Sequence, residues 1–234
     1  INWMTKRLRH YQTLSMVFIK KLSIFQYLFS MVLVFLLSFY AYAEEFSPGR
    51  HYEVLKNPTS TRNPNKVEVV EVFWFGCNHC YTLEAYLQPW KEKLPQDVDF
   101  WKSHATWNPT LKIHARLFYS AKALGIESET VAAAFNAIQR EKRFLTGSSE
   151  LEYFFKGFGI EKEKYQSVSN SFGVDNAVRQ ADNRMKQWQI TAVPTLIVNG
   201  KYKVLATREL STGKLLDVVD HLVQKERRFL VGSD

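Results

Sequence analysis

The sequence predicts an α/β protein, a sheet domain interrupted by an all-helical insertion. Three observations carry this. The run "VEVVEVFWF" at 67–75 is β-branched and aromatic with few breaks, as a strand covered on both faces should be, and a helical period and a second strand run follow it. Residues 108–172 repeat their apolar positions at helical spacing with no strand signal between them. Near the end, Asn199-Gly200 sits between two apolar runs, the strongest short signal for a hairpin.

In chain order, "HYEVL" at 51–55 reads as a short edge or hairpin strand, and "NPTSTRNPNK" at 57–66 as a turn-rich connection. After the 67–75 strand, Cys80, Leu83, Leu87, Trp90 and Leu94 are spaced three and four apart, which predicts an amphipathic helix bent by Pro89. "VDFWKSHA" at 98–105 is the next strand, and strand, helix, strand implies a parallel pair. Within the insertion, Leu111, Leu117, Ala121 and Leu124, then Val131, Phe135 and Ile138, then a segment from Leu151 to Phe158 mark successive helices. A helix after Gly173 carries Val174, Val178, Ala181, Met185 and Trp188 on one stripe. The hairpin "AVPTLIVNGKYKVL" follows, then a last helix through Leu215, Val218, Val219 and Leu222. The expected division is 44–107 and 173–234 for the two parts of the sheet domain and 108–172 for the insertion.

Residues 1–43 read as upstream sequence and an export signal, with Met16 the expected start. Two lysines, an apolar run and small residues at Ala41 and Ala43 come in the order such a signal requires, and cleavage is expected after Ala43. An uncleaved anchor is the competing reading, because the apolar run from Tyr27 to Ala43 reaches the lower limit of a bilayer span. Without 1–43 the net charge falls by five, from +8 to +3, since the segment holds five basic residues and no acid. The remaining basic clusters, such as "KERR" at 225–228, form no stripe with interleaved aromatics, so no nucleic-acid surface is expected. With 46% hydrophobic and 15% aromatic residues, the chain can build a core and is neither disordered nor fibrous in type. Export would place it where disulfides form and persist.

Both cysteines, Cys77 and Cys80, lie in "FWFGCNHCYTLE" at 73–84, between the end of a strand and the start of a helix. A structural clip is disfavoured because so short a loop constrains the unfolded chain little. Zinc usually takes about four N or S ligands. The histidines at 51, 79, 104, 114 and 221 form no paired metal spacing, which leaves zinc the weaker alternative. Covalent haem would need His after the second cysteine, where Tyr81 stands. A catalytic dithiol suits the location, because unpaired N–H groups and the positive helix end favour thiolate at Cys77. A helix end supplies roughly 0.3 to 2 kcal/mol against about 1.36 kcal/mol per pKa unit, so a second influence is needed. His79, between the cysteines, is the candidate. A stabilised Cys77 thiolate is a good leaving group, so its disulfide is easily given away. Cys80, on the apolar stripe, would be the buried resolving thiol.

Glu71 breaks the apolar pattern of its strand, and a carboxylate buried there must be paired or protonated. Two readings stand. It is either an edge-facing solvated residue or a partly buried acid behind the dithiol that exchanges the proton Cys80 must lose. Lys102, in the following strand, is its nearest candidate partner.

Together these residues resemble the DsbA-type thiol:disulfide oxidoreductases, exported proteins of thioredoxin-like fold with a helical insertion. The resemblance rests on "EVFWFGCNHCYTLE" at 71–84, "WKSHA" at 101–105, "VPT" at 193–195 and "VNGKY" at 198–202, and spans about 50–228. It implies Cys77 as nucleophile and leaving thiolate, Cys80 as resolving cysteine, His79 as tuning residue, Glu71 as buried acid and Lys102 as its partner. It also implies a cis peptide bond before Pro194, with Val193, Pro194 and Thr195 receiving an extended substrate segment by strand addition. The implied cycle oxidises newly exported proteins with free thiols and is renewed by a membrane quinone-linked partner of the DsbB type. The protein would be a periplasmic monomer without cofactor or metal. Asn78 stands where the best-known members have Pro, so it is expected to shift the redox poise, and Asn also suits a helix cap. A reductase or isomerase on the same scaffold and a non-enzymatic chaperone-like binder are the competing functions.

Overall fold

The computed structural model describes residues 46–206 and 210–231, together with Met31. The expected start, apolar run and cleavage position lie outside this range. Strand β1 is Glu53–Val54, followed by β2 (Val67–Phe73), helix α1 (Asn78–Lys91) and β3 (Val98–His104). Helices α2 (Pro109–Ala123), α3 (Glu127–Gln139), α4 (Ser148–Lys156), α5 (Lys162–Ser169) and α6 (Phe172–Gln187) come next. The chain closes with β4 (Thr195–Val198), β5 (Tyr202–Leu205), a 3-10 turn at Thr212–Lys214 and α7 (Leu215–Val231). This is the thioredoxin-like α/β fold with a helical insertion that the sequence predicts. The described residues from Phe46 onward form one compact unit. Among the described residues no helix is long and apolar enough to cross a membrane.

The sheet runs β1-β5-β4-β2-β3, with β2 and β3 parallel and the other neighbours antiparallel. Every residue of β2 is buried, which is why its sequence lacks apolar–polar alternation. Alternation decides only which layer each residue joins. Val67 and Val69 pack with Leu83 and Leu87 of α1 and with Leu215, Val218, Val219 and Leu222 of α7. Val70 and Val72 face the opposite way, toward Leu111, Met185, Trp188 and Ile190. Phe73, Phe75 and Cys80 join a third cluster filled by the insertion, including Phe118, Phe135, Phe155 and Tyr165. The carboxyl end of β2 is thus where sheet and helical layers meet.

Two departures from the sequence reading have local causes. Asn78 is not the helix cap: the N-cap is Cys77, in extended conformation, whose side chain accepts the Cys80 N–H. Asn78 becomes the first helical residue, with an exposed side chain. Helix α5 is the other, since its polar sequence has only Tyr165 and Ser169 buried and no apolar stripe to read. At the hairpin, Asn199 and Gly200 both take positive φ, 51° and 63°, as an Asn-Gly turn favours, and Lys201 N–H closes it on Val198 C=O at 3.0 Å.

Candidate active site

The turn from Trp74 to Cys77 carries the chain from β2 into α1. Cys77 N–H donates to Trp74 C=O at 3.0 Å, and the Gln139 side chain, from the end of α3, donates to Phe75 C=O at 2.7 Å. Gly76 is required because a Cβ there would overlap the indole of Trp74. Held this way, the Cys77 sulfur lies 3.4 Å from the Cys80 amide nitrogen and 3.3 Å from the Val193 carbonyl oxygen. Both cysteines are free thiols here, Cys77 partly exposed and Cys80 fully buried.

Their acidities are driven apart. Cys77 is lowered to about 6, first by the hydrogen bond from the Cys80 side chain, against burial, and then by the backbone N–H groups of Cys80 and His79 and the charge of His79. Cys80 is pushed well above its ordinary value by burial first, then by its bond to Cys77 and the negative charge of Glu71. The His79 ring is exposed, and its charge is the least of the influences named on Cys77. Asn78 contributes its carbonyl to the Thr82 hydroxyl at 3.0 Å.

Directly behind, Glu71 is fully buried and lies opposite Lys102 in the parallel register of β2 and β3. The Lys102 ammonium bonds both Glu71 Oε2 and Glu84 Oε1, and it sits 5.1 Å from the Phe73 ring centroid. Glu71 is therefore buried between two strands and is not the edge-facing solvated residue of the other reading. Burial raises its pKa to about 7, helped by Glu84 and opposed by Lys102. Lys102 itself is raised, since its two carboxylates outweigh the burial that works against its charge. One ammonium shared by two carboxylates leaves the buried one to take the proton. Among the described residues Glu71 Oε1 has no hydrogen-bond partner, which leaves it open to a proton. Glu84 was not singled out from sequence, although it stands four residues after Cys80 on the same helix face.

Across the cysteines, the Val193–Pro194 peptide is cis, as the resemblance implied. Thr195 is buried, pairs with Val72 and Leu205, and donates its hydroxyl to Ala192 C=O at 2.7 Å. Among the described residues no group of three His, Cys, Asp or Glu side chains could hold a metal ion.

A half-exposed thiol of lowered pKa, a buried partner of raised pKa and an acid behind them can carry thiol–disulfide exchange. Residues 83–214 match the model of the DSBA-like thioredoxin domain. The chain belongs to the DsbA-like thioredoxin family. The thiol:disulfide interchange protein DsbA of Pseudomonas aeruginosa is 36% identical over 187 residues, spanning 80% of this chain and 89% of that one. The DsbA of Salmonella typhimurium is 29% identical over 200 residues, 81% of this chain and 94% of that one. A crystal structure of Pseudomonas aeruginosa DsbA superposes with a TM-score of 0.75 at 36% identity, over 80% of this chain and 97% of that one. The oxidoreductase DsbA from Xylella fastidiosa gives 0.73 at 26% identity, over 78% and 98%. This DsbA-like protein is a thiol:disulfide oxidoreductase, and its membership implies protein thiols and disulfides as substrates.

Proposed function

We propose that the protein donates the Cys77–Cys80 disulfide to exported proteins. The substrate thiolate attacks Cys77 sulfur, the S–S bond breaks, and Cys80 leaves with the electron pair, taking its proton from Glu71. A second substrate thiolate then attacks the substrate sulfur of the mixed disulfide and expels Cys77 as the stable thiolate. The substrate is oxidised by two electrons and the dithiol is reduced. The observation that carries this direction is the contrast between Cys77, partly exposed and lowered to about 6, and Cys80, buried and raised. Lys102 steadies the charge of Glu71, and His79 and Asn78 tune the thiolate. Val193, Pro194 and Thr195 receive an extended substrate segment, Val193 through its backbone. The stretch 108–172 acts as a lobe that covers the dithiol from one side.

In this reading the protein works in the periplasm after removal of residues 1–43, as a monomer without cofactor, and a membrane quinone-linked protein of the DsbB type reoxidises it. The test is equilibrium with glutathione buffers, read by tryptophan fluorescence, Trp74 being three residues before Cys77. A constant far more oxidising than that of thioredoxin supports donation. One near thioredoxin's moves the assignment to a reductase or isomerase on this scaffold. Cys77→Ser should abolish turnover, whereas a chaperone-like binder would keep its activity.

A further inference from the structure

The insertion reaches the active-site turn through a histidine that no motif announces. His114, on α2, is buried, and its two ring nitrogens are both used. Trp74 Nε1–H donates to Nδ1 at 3.0 Å, and Nε2 donates to the Phe144 carbonyl at 2.8 Å. A carbonyl accepts only from a protonated nitrogen, so the tautomer is fixed as neutral with the proton on Nε2. Burial lowers the His114 pKa and keeps the ring in that form. The acceptor is placed with care: Phe144 turns its side chain to solvent, while the next residue, Leu145, is fully buried with φ 50°, a left-handed conformation uncommon for leucine. That turn aims the 144–145 peptide oxygen inward.

At the other end of this chain of bonds lies Trp74, whose indole packs on Gly76 and whose carbonyl accepts the Cys77 N–H. The same turn is gripped at Phe75 by Gln139. Two side chains of the insertion therefore hold the three residues that precede the reactive sulfur.

We propose that His114 is a positioning residue for thiol–disulfide exchange: by fixing the Trp74 indole against Gly76 it sets the place of the Cys77 sulfur before the amides of α1. This rests on Cys77 being the reactive thiolate. If the indole is released, the turn loosens, the sulfur loses alignment with its N–H donors, and the thiolate is less favoured.

The experiment measures the Cys77 thiolate by absorbance at about 240 nm against pH, together with the glutathione equilibrium read by alkylation of free thiols, which needs no tryptophan at 74, in wild type, His114→Phe, His114→Gln, Trp74→Phe and the double variant His114→Phe/Trp74→Phe. Phenylalanine at 114 keeps a ring and removes both bonds. Glutamine can accept from the indole and donate to the carbonyl, so it should restore most of the effect. The expected result is a Cys77 midpoint moved to higher pH in His114→Phe and an equilibrium constant about three- to tenfold less oxidising, where tenfold is about 30 mV. Trp74→Phe, which breaks the same bond from its other end, should do the same, and the double variant should be no worse than either single one. If His114→Phe fails to fold, Trp74→Phe and His114→Gln decide the matter. The proposal is overturned if His114→Phe and Trp74→Phe, where they fold, lower the melting temperature but leave midpoint and equilibrium constant at wild-type values, if His114→Gln shifts both as far as His114→Phe does, or if the double variant shows additive effects. A wild-type Cys77 that titrates in the ordinary thiol range would instead sink the assignment of Cys77 as reactive thiolate, a separable outcome.

Discussion

Cys77 and Cys80 share one helical turn but not one environment, and at the scale of single residues that difference does the chemistry. The pKa of Cys77, about 6, lies below the roughly 8.5 of an unfolded cysteine. In the reduced protein its thiolate thus adds stability that is fully present above about pH 8.5 and is lost as pH falls through about 6. A thiolate titration should show one step near 6, and Cys80→Ala, which removes the side-chain donor whose bond most lowers Cys77, should move that step upward. Glu71 has the opposite sign. Raised from 4.5 to about 7, it binds its proton more tightly folded than unfolded, so its contribution is complete below 4.5 and is lost as pH rises through 7. Glu71→Gln cannot ionise. Urea midpoints at pH 5 and pH 8 should show the variant gaining on wild type at the higher pH, and an equal difference at both would place the proton elsewhere.

At the scale of elements, the hairpin and the last helix are joined by one carboxylate. Glu226 of α7, almost fully buried, accepts hydrogen bonds from Asn199 (2.5 Å), Lys201 (2.6 Å) and Tyr202 (3.0 Å), and these hold its pKa below the ordinary value. The "VNGKY" stretch thus makes its turn and fixes that turn to α7 with the same residues. Glu226→Ala should cost about 1–3 kcal/mol in chemical denaturation, because the buried Tyr202 hydroxyl and the partly exposed Asn199 and Lys201 lose a charged acceptor, while the glutathione equilibrium stays at its wild-type value. This contact was not legible in the sequence, whereas the strands, the dithiol turn and the Asn-Gly hairpin were. What could be read lies in contiguous patterns: β-branched runs, a three-and-four apolar spacing, a turn dipeptide. Glu84, Gln139, His114 and Glu226 act on residues remote in the chain, and on a helix such polar positions look like solvated ones. The Glu71–Lys102 pair was the exception, since parallel pairing of two recognised strands sets those residues side by side.

At the scale of the whole molecule, folding and redox state are linked. Whatever favours the Cys77 thiolate in the native state favours the reduced native protein over the oxidised one. Thermal unfolding at pH 7 should therefore give a higher melting temperature in dithiothreitol than in the oxidised form, with the gap narrowing as pH is brought below 6. A gap independent of pH would mean that the thiolate is not its source. Spatial order and chain order also diverge in this fold. Strand β2, which leads into the dithiol, lies between β3 and β4, so one of its neighbours comes from residues 195–198. The turn before Cys77 is gripped by residue 139, and the carbonyl facing its sulfur belongs to residue 193. A ribosome making this chain finishes both cysteines long before it makes their surroundings. The pair therefore begins life as two ordinary thiols, and its reactivity arrives late, as a signature of completed synthesis.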